Sequence, residues 1–220
     1  PFFSAVAILP YTLSIAAAAI LTVRLYDRLT PRRLGVISFG LLAVGLLIVA
    51  ASVSNDWGTL SVIVGLLIVG LGEGTLLTLL FNVLVSASPK ELAGDVGALR
   101  GVVNNVSSAL GTALGGVVAV GLLGLIIATS FAQSNLPPSL EREINFDSIN
   151  FVSNDDLRSV LADTSVTPEQ LEEAVTINEA ARLRALRAAF VILALISLLA
   201  IIPATGLPNY VPGAVPADEP

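Results

Sequence analysis

Glu73 is the residue of this chain with the largest chemical consequence. It stands near the middle of a long apolar run, in Gly70-Leu-Gly-Glu-Gly-Thr75, with no basic residue within a helical turn. A charged carboxylate at the centre of a bilayer is expensive, so such a group belongs in a bundle interior or a water-filled cavity. Two readings follow. A carboxyl that gains and loses a proton in a gated cavity couples a proton gradient to transport, or contacts substrate; a permanently protonated or internally paired one holds helices together. The chain has no Cys, and with no His there is no imidazole relay, so a side chain that titrates near neutrality must be a carboxylate.

The other polar residues in apolar surroundings are fewer. Asn104 and Asn105 are adjacent amides in the fourth apolar run, able to bridge helices or to line a cavity. Ser14, Ser107 and Ser108 have no His or other suitable base near them in sequence, so a hydrolase constellation is not visible. No Gly-Lys-Ser/Thr loop cradles a phosphate, which argues against an ATP-driven pump domain. These absences point to no enzyme activity, no metal and no cofactor.

Charge concentrates in two places. The turn Asp27-Arg28-Leu29-Thr30-Pro31-Arg32-Arg33 follows Arg24 closely. Thr30 can cap a helix that begins at Pro31, and Arg24 and Arg28 complement the C-terminal dipole of the helix before it. Taken alone, the turn is an anchor of interfacial arginines. The second concentration lies between Ser130 and Ala181, where ten carboxylates face Arg142 and Arg158, a net of −8 within a total of −6. No basic stripe with interleaved aromatics exists, so nucleic-acid binding has no support.

The elements that must position these residues follow from hydropathy. The chain is 55% hydrophobic and 13% charged, against about 25% charged in an ordinary soluble domain. Five spans are expected to cross a membrane: about 2–23, 34–53, 59–85, 102–129 and 182–205. The arginine-bearing first connection is then cytoplasmic and the second, Ser54-Asn-Asp-Trp-Gly58, which holds no arginine, external, which puts the acidic segment 130–181 outside. Within it, Thr167-Pro168-Glu169-Gln170 is a capping-box pattern that starts a helix, and nothing before Ala200 breaks it. A shorter helix is expected over 155–162 after Asn154 as cap, and a Pro-rich disordered tail over 206–220. Gly111-x-x-x-Gly115, with Gly116, is a pattern that lets helix backbones pack closely. The chain opens Pro-Phe-Phe-Ser and contains no Met, so it is expected to be part of a longer protein.

The order of residues in the first connection says more than its charge. Asp27, Arg28, Pro31, Arg32 and Arg33 match the pattern Gly-x-x-x-Asp-Arg-x-Gly-Pro-Arg-Arg, with Val23 and Thr30 standing where the glycines are usual. The turn thus resembles the cytoplasmic signature loop of the major facilitator superfamily, in the version found in its C-terminal half. A second stretch, Pro89-Lys-Glu-Leu-Ala-Gly94, Gly97, Arg100, Asn104-Asn105 and Leu110-Gly-Thr-Ala-Leu-Gly-Gly116, is similar to the region near the C-terminal end of the fourteen-helix drug:proton antiporters. The resemblance implies the last five helices of an all-α membrane bundle, with a long, partly helical external insertion before the final one. It also implies a conformational latch at Asp27, Arg28, Arg32 and Arg33.

The expectation is therefore the C-terminal part of a secondary transporter, exporting small amphiphilic or drug-like molecules against protons by alternating access. Its partners would be membrane lipid, the small-molecule substrate, protons and a missing N-terminal half, in a bacterial inner (plasma) membrane. Carriage of a specific nutrient or metabolite is the rival within transport. A non-transporting scaffold whose acidic loop binds an external partner is the rival outside it.

Overall fold

The computed structural model describes residues 2–26, 28–55, 58–86, 88, 90–132, 154–162 and 167–210. Asp27, much of the acidic segment and the end of the Pro-rich tail lie outside them, and with them those parts of the expectations above. Among the described residues the fold is all-α, with no strand. The helices are α1 (Phe2–Leu25), α2 (Pro31–Ser52), α3 (Leu60–Ser86), α4 (Ala93–Ala132), α5 (Asn154–Ala162) and α6 (Pro168–Ala204), with a single 3-10 turn at Lys90–Leu92. Five of them, all but α5, are long and apolar enough to cross a membrane. At 1.5 Å per residue, the 37 residues of α6 extend about 55 Å, well beyond a hydrocarbon core of about 30 Å.

Helix starts follow local chemistry. Thr30 has extended backbone angles and its hydroxyl accepts from the Arg33 N–H at 3.4 Å, with Pro31 in the first turn of α2. At α6 the capping box closes reciprocally: the Gln170 N–H donates to the Thr167 hydroxyl at 3.3 Å and the Thr167 N–H to the Gln170 amide oxygen at 3.1 Å. Several hydroxyls inside the apolar helices are satisfied one turn back, as in Thr22 to Ala18 O at 2.7 Å and Thr75 to Leu71 O at 2.8 Å.

The chain divides into two compact units. In the first, residues 1–109 and 190–220, α3 packs against both α1 and α2. The contacts are made by missing side chains. Gly45 of α2 and Gly65 of α3 face each other so closely that a Cβ on either would lie within 3.2 Å of the other's carbonyl oxygen. Gly72 lies equally tight against the Ser38 carbonyl. Outward faces are apolar, as at Leu13, Ile20 and Leu47. That is what a lipid-facing or helix-facing surface requires, since no hydrophobic drive selects Leu over lipid tails.

In the second unit, residues 110–189, Leu123 and Ile127 of α4 form a small core with Ala181 and Ala185 of α6. Leu161 of α5 packs against Ala174 of α6. Arg158 reaches Glu172 in a bidentate pair at 3.0 and 3.1 Å. Asn154 is the first residue of α5, and its amide is spent on α6: it donates to Glu179 at 3.1 Å and accepts from Asn178 at 3.2 Å and Arg182 at 3.3 Å. The cap read at this position from the sequence is thus a cross-helix bracket instead.

Candidate functional site

The site lies where α1 crosses α3. Every third or fourth residue along one stripe of α1 is small or polar: Tyr11, Ser14, Ala18 and Thr22. Ser14, Ala18 and Thr22 are buried, and Tyr11 is half-buried. The facing stripe of α3 offers Gly70 and Gly74. A Cβ at Gly70 would stand 2.0 Å from the Ser14 hydroxyl and 2.5 Å from the Tyr11 carbonyl oxygen; one at Gly74 would stand 2.5 Å from the Ile15 carbonyl. The two backbones therefore touch, which only glycine permits here. Ser14 closes the contact by donating to the Leu67 carbonyl at 2.8 Å.

Glu73 sits between those two glycines, half-buried. Its carboxylate accepts a hydrogen bond from the Tyr11 hydroxyl. The bond joins two helices through residues 62 positions apart in sequence. A hydroxyl donating to an ionised carboxylate is a charge-assisted bond, about twice as strong as its neutral counterpart.

The remaining sequence candidates are placed as follows. Arg28, Arg32 and Arg33 are exposed, and Asp27 lies outside the described residues. Arg32 and Arg33 line an open cavity of about 360 Å³ together with Val36, Ile37 and Asn209. The segment after α6 folds back on the same turn: the Arg32 N–H donates to Pro208 O at 3.1 Å, the Thr30 hydroxyl donates to the Asn209 amide oxygen at 3.1 Å, and Leu207 lies against Gly35. Residues 207–209 of the expected disordered tail are thus part of the packed unit. Asn104 and Asn105 are exposed on α4. Gly111, Gly115 and Gly116 have no atom within 4 Å of a Cβ position, so among the described residues they pack against nothing. Arg100, near the start of α4, stacks over the Phe81 ring at 4.4 Å from its centroid.

A family model described as Major Facilitator Superfamily matches residues 2–134, more than half of the chain. The chain belongs to the major facilitator superfamily. A tetracenomycin C resistance and export protein of Streptomyces glaucescens is 35% identical over 113 residues, which cover 47% of this chain. The chain spans 20% of the length of that relative. No solved structure matches. The protein is an integral membrane protein of a transporter family, and its match takes in α1, α2, α3 and α4, including Tyr11, Glu73 and the arginine turn.

Sequence reasoning singled out Glu73 in this facilitator chain but not Tyr11, the residue that meets it. A signal was present. Tyr11 and Ser14 lie one turn apart in a helix otherwise almost wholly apolar, directly after Pro10, and Tyr11, Ser14, Ala18 and Thr22 follow helical spacing. What the sequence did not carry is which helix this stripe faces.

Proposed function

We propose that the chain is the C-terminal part of a bacterial inner-membrane exporter that moves small, amphiphilic or drug-like molecules by alternating access in exchange for protons. Membership of the superfamily supports a transporter, and the likeness to a Streptomyces resistance and export protein supports export of a small molecule. The observation that carries the coupling is Glu73: one carboxylate at the middle of an apolar helix, flanked by glycines and held by a tyrosine rather than by a basic residue. A permanent salt bridge would leave it no reason to titrate. A neutral donor lets it exchange a proton whenever the cavity opens to one side or the other.

The other parts take roles around that step. Asp27, Arg28, Arg32 and Arg33 form the latch that steadies one state of the cycle, and Asn104 and Asn105 line the substrate path on the exposed face of α4. Gly111, Gly115 and Gly116 receive a helix from the N-terminal half of the transporter. The test is flux in liposomes carrying the full-length protein, with Glu73→Gln as variant. The expected result is loss of accumulation against a gradient, with downhill movement of substrate retained. Uphill accumulation equal to the parent would refute the coupling role.

A further inference from the structure

The reading of Glu73 as a proton site leaves open how a charge change on α3 becomes movement of another helix. The elements packed against it narrow the answer. α2 carries no ionisable residue between Arg33 and its end at Ser52, and α3 carries none besides Glu73. α1 carries two groups that matter, Tyr11 and Arg24. Arg24 lies thirteen residues further on, about 20 Å along the helix. Among the described residues, Tyr11 is the one whose side chain hydrogen-bonds the carboxylate.

Two further features make this contact a place where helices can move. Pro10 immediately precedes Tyr11 inside α1, so the Val6 carbonyl lacks its usual helical donor and α1 has a weak point at this level. Beyond it, α1 rests on Gly70 and Gly74, whose lack of side chains leaves no knob interlocked with α1 to resist sliding. Around Gly70 and Gly74 two side-chain hydrogen bonds tie the helices together, Ser14 to Leu67 O and Tyr11 to Glu73; a third, between Tyr26 and Ser86, lies at the far ends of the two helices. The first joins a hydroxyl to a backbone carbonyl and is indifferent to protons. The second depends on the charge of its acceptor.

We infer that Tyr11 is the positioning residue through which α1 responds to the protonation of Glu73. This rests on the proposed role of Glu73. While the carboxyl is ionised, the Tyr11 hydroxyl pins α1 to α3. When Glu73 takes a proton from water in the open cavity, the acceptor loses its charge and the bond falls to the strength of a neutral pair. Tyr11 keeps its own proton throughout. The part of α1 from Tyr11 onward, which rests on Gly70 and Gly74, is then free to slide along the glycine track with Pro10 as its hinge, and departure of the proton to the other side restores the pin.

The experiment uses the full-length protein in liposomes, with Tyr11→Phe, Ser14→Ala and Glu73→Gln compared with the parent across pH. Removing the donor from an ionised acceptor should displace the pH of half-maximal flux in Tyr11→Phe to higher pH by about one unit. Ser14→Ala removes the other tie and should slow or loosen the protein without moving that midpoint. A second readout is the distance between spin labels at Val23→Cys on α1 and Val85→Cys on α3, both exposed positions, in a chain with no Cys of its own. The parent distance should change with pH and the Glu73→Gln distance should not, a comparison that stands even if Tyr11→Phe fails to reach the membrane. A Tyr11→Phe midpoint superimposed on the parent, or one moved equally by Ser14→Ala, overturns the inference while leaving Glu73 as the proton site. Coupling unaffected in Glu73→Gln overturns both.

Discussion

Replacing Gly70 by Ala tests whether α1 and α3 touch as described. The added Cβ would stand 2.5 Å from the Tyr11 carbonyl oxygen, where ordinary contact begins at 3.4 Å. A backbone carbonyl cannot rotate out of the way, so α1 must back off by roughly 0.9 Å, a shift that overpacked cores accommodate at about 1–3 kcal/mol. The Ser14 hydroxyl, 2.0 Å from the same Cβ, must also leave its bond to Leu67, at about 1 kcal/mol. Ala gains back up to about 1 kcal/mol of helix propensity. The net expectation is a loss of about 1–3 kcal/mol, read as a lower unfolding temperature of the purified protein in detergent. Gly40→Ala is the comparison, because nothing lies within 4 Å of its Cβ position and only the propensity gain remains. If Gly70→Ala unfolds at the parent temperature, or Gly40→Ala falls as far, the close approach of the two backbones is wrong.

Two more substitutions probe other parts of the structure. Ser38 is fully buried in α2 and its hydroxyl has no partner among the described residues, so Ser38→Ala should leave stability unchanged or raise it by about 1 kcal/mol; a marked loss in thermal unfolding would mean the hydroxyl is bonded. Asn154→Ala strips three hydrogen bonds between α5 and α6 and should speed amide exchange throughout 154–162. Arg158→Ala breaks only an exposed pair, worth about 0–1 kcal/mol, and should change exchange there less; the opposite order would contradict the bracket assigned to Asn154.

Local chemistry was legible in the sequence and tertiary pairing was not. The Thr30-Pro31 and Thr167-Pro168-Gln170 starts were readable because a cap involves only residues three apart. The spans were readable because hydrocarbon tolerates little besides apolar side chains. The glycines show the limit. Gly111-x-x-x-Gly115 fits a packing pattern as well as Gly70-x-x-x-Gly74 does, but only the second has a helix against it among the described residues, and no property of a single helix says which. Asn154 is the same lesson at a helix start: its type suits a cap, and three partners on α6 claim it instead. Glu73 could be singled out by its cost in a membrane, whereas its partner on α1 required knowing that two helices with another between them in sequence lie side by side.

The most direct test of the account is the protonation of Glu73 itself, followed by infrared difference spectroscopy on the full-length protein in lipid as pH is cycled. The account predicts a protonated-carboxyl band that appears reversibly on acidification, within the pH range over which flux changes, and is missing in Glu73→Gln. A Glu73 band that persists unchanged at every pH, or no band that the substitution removes, would contradict it.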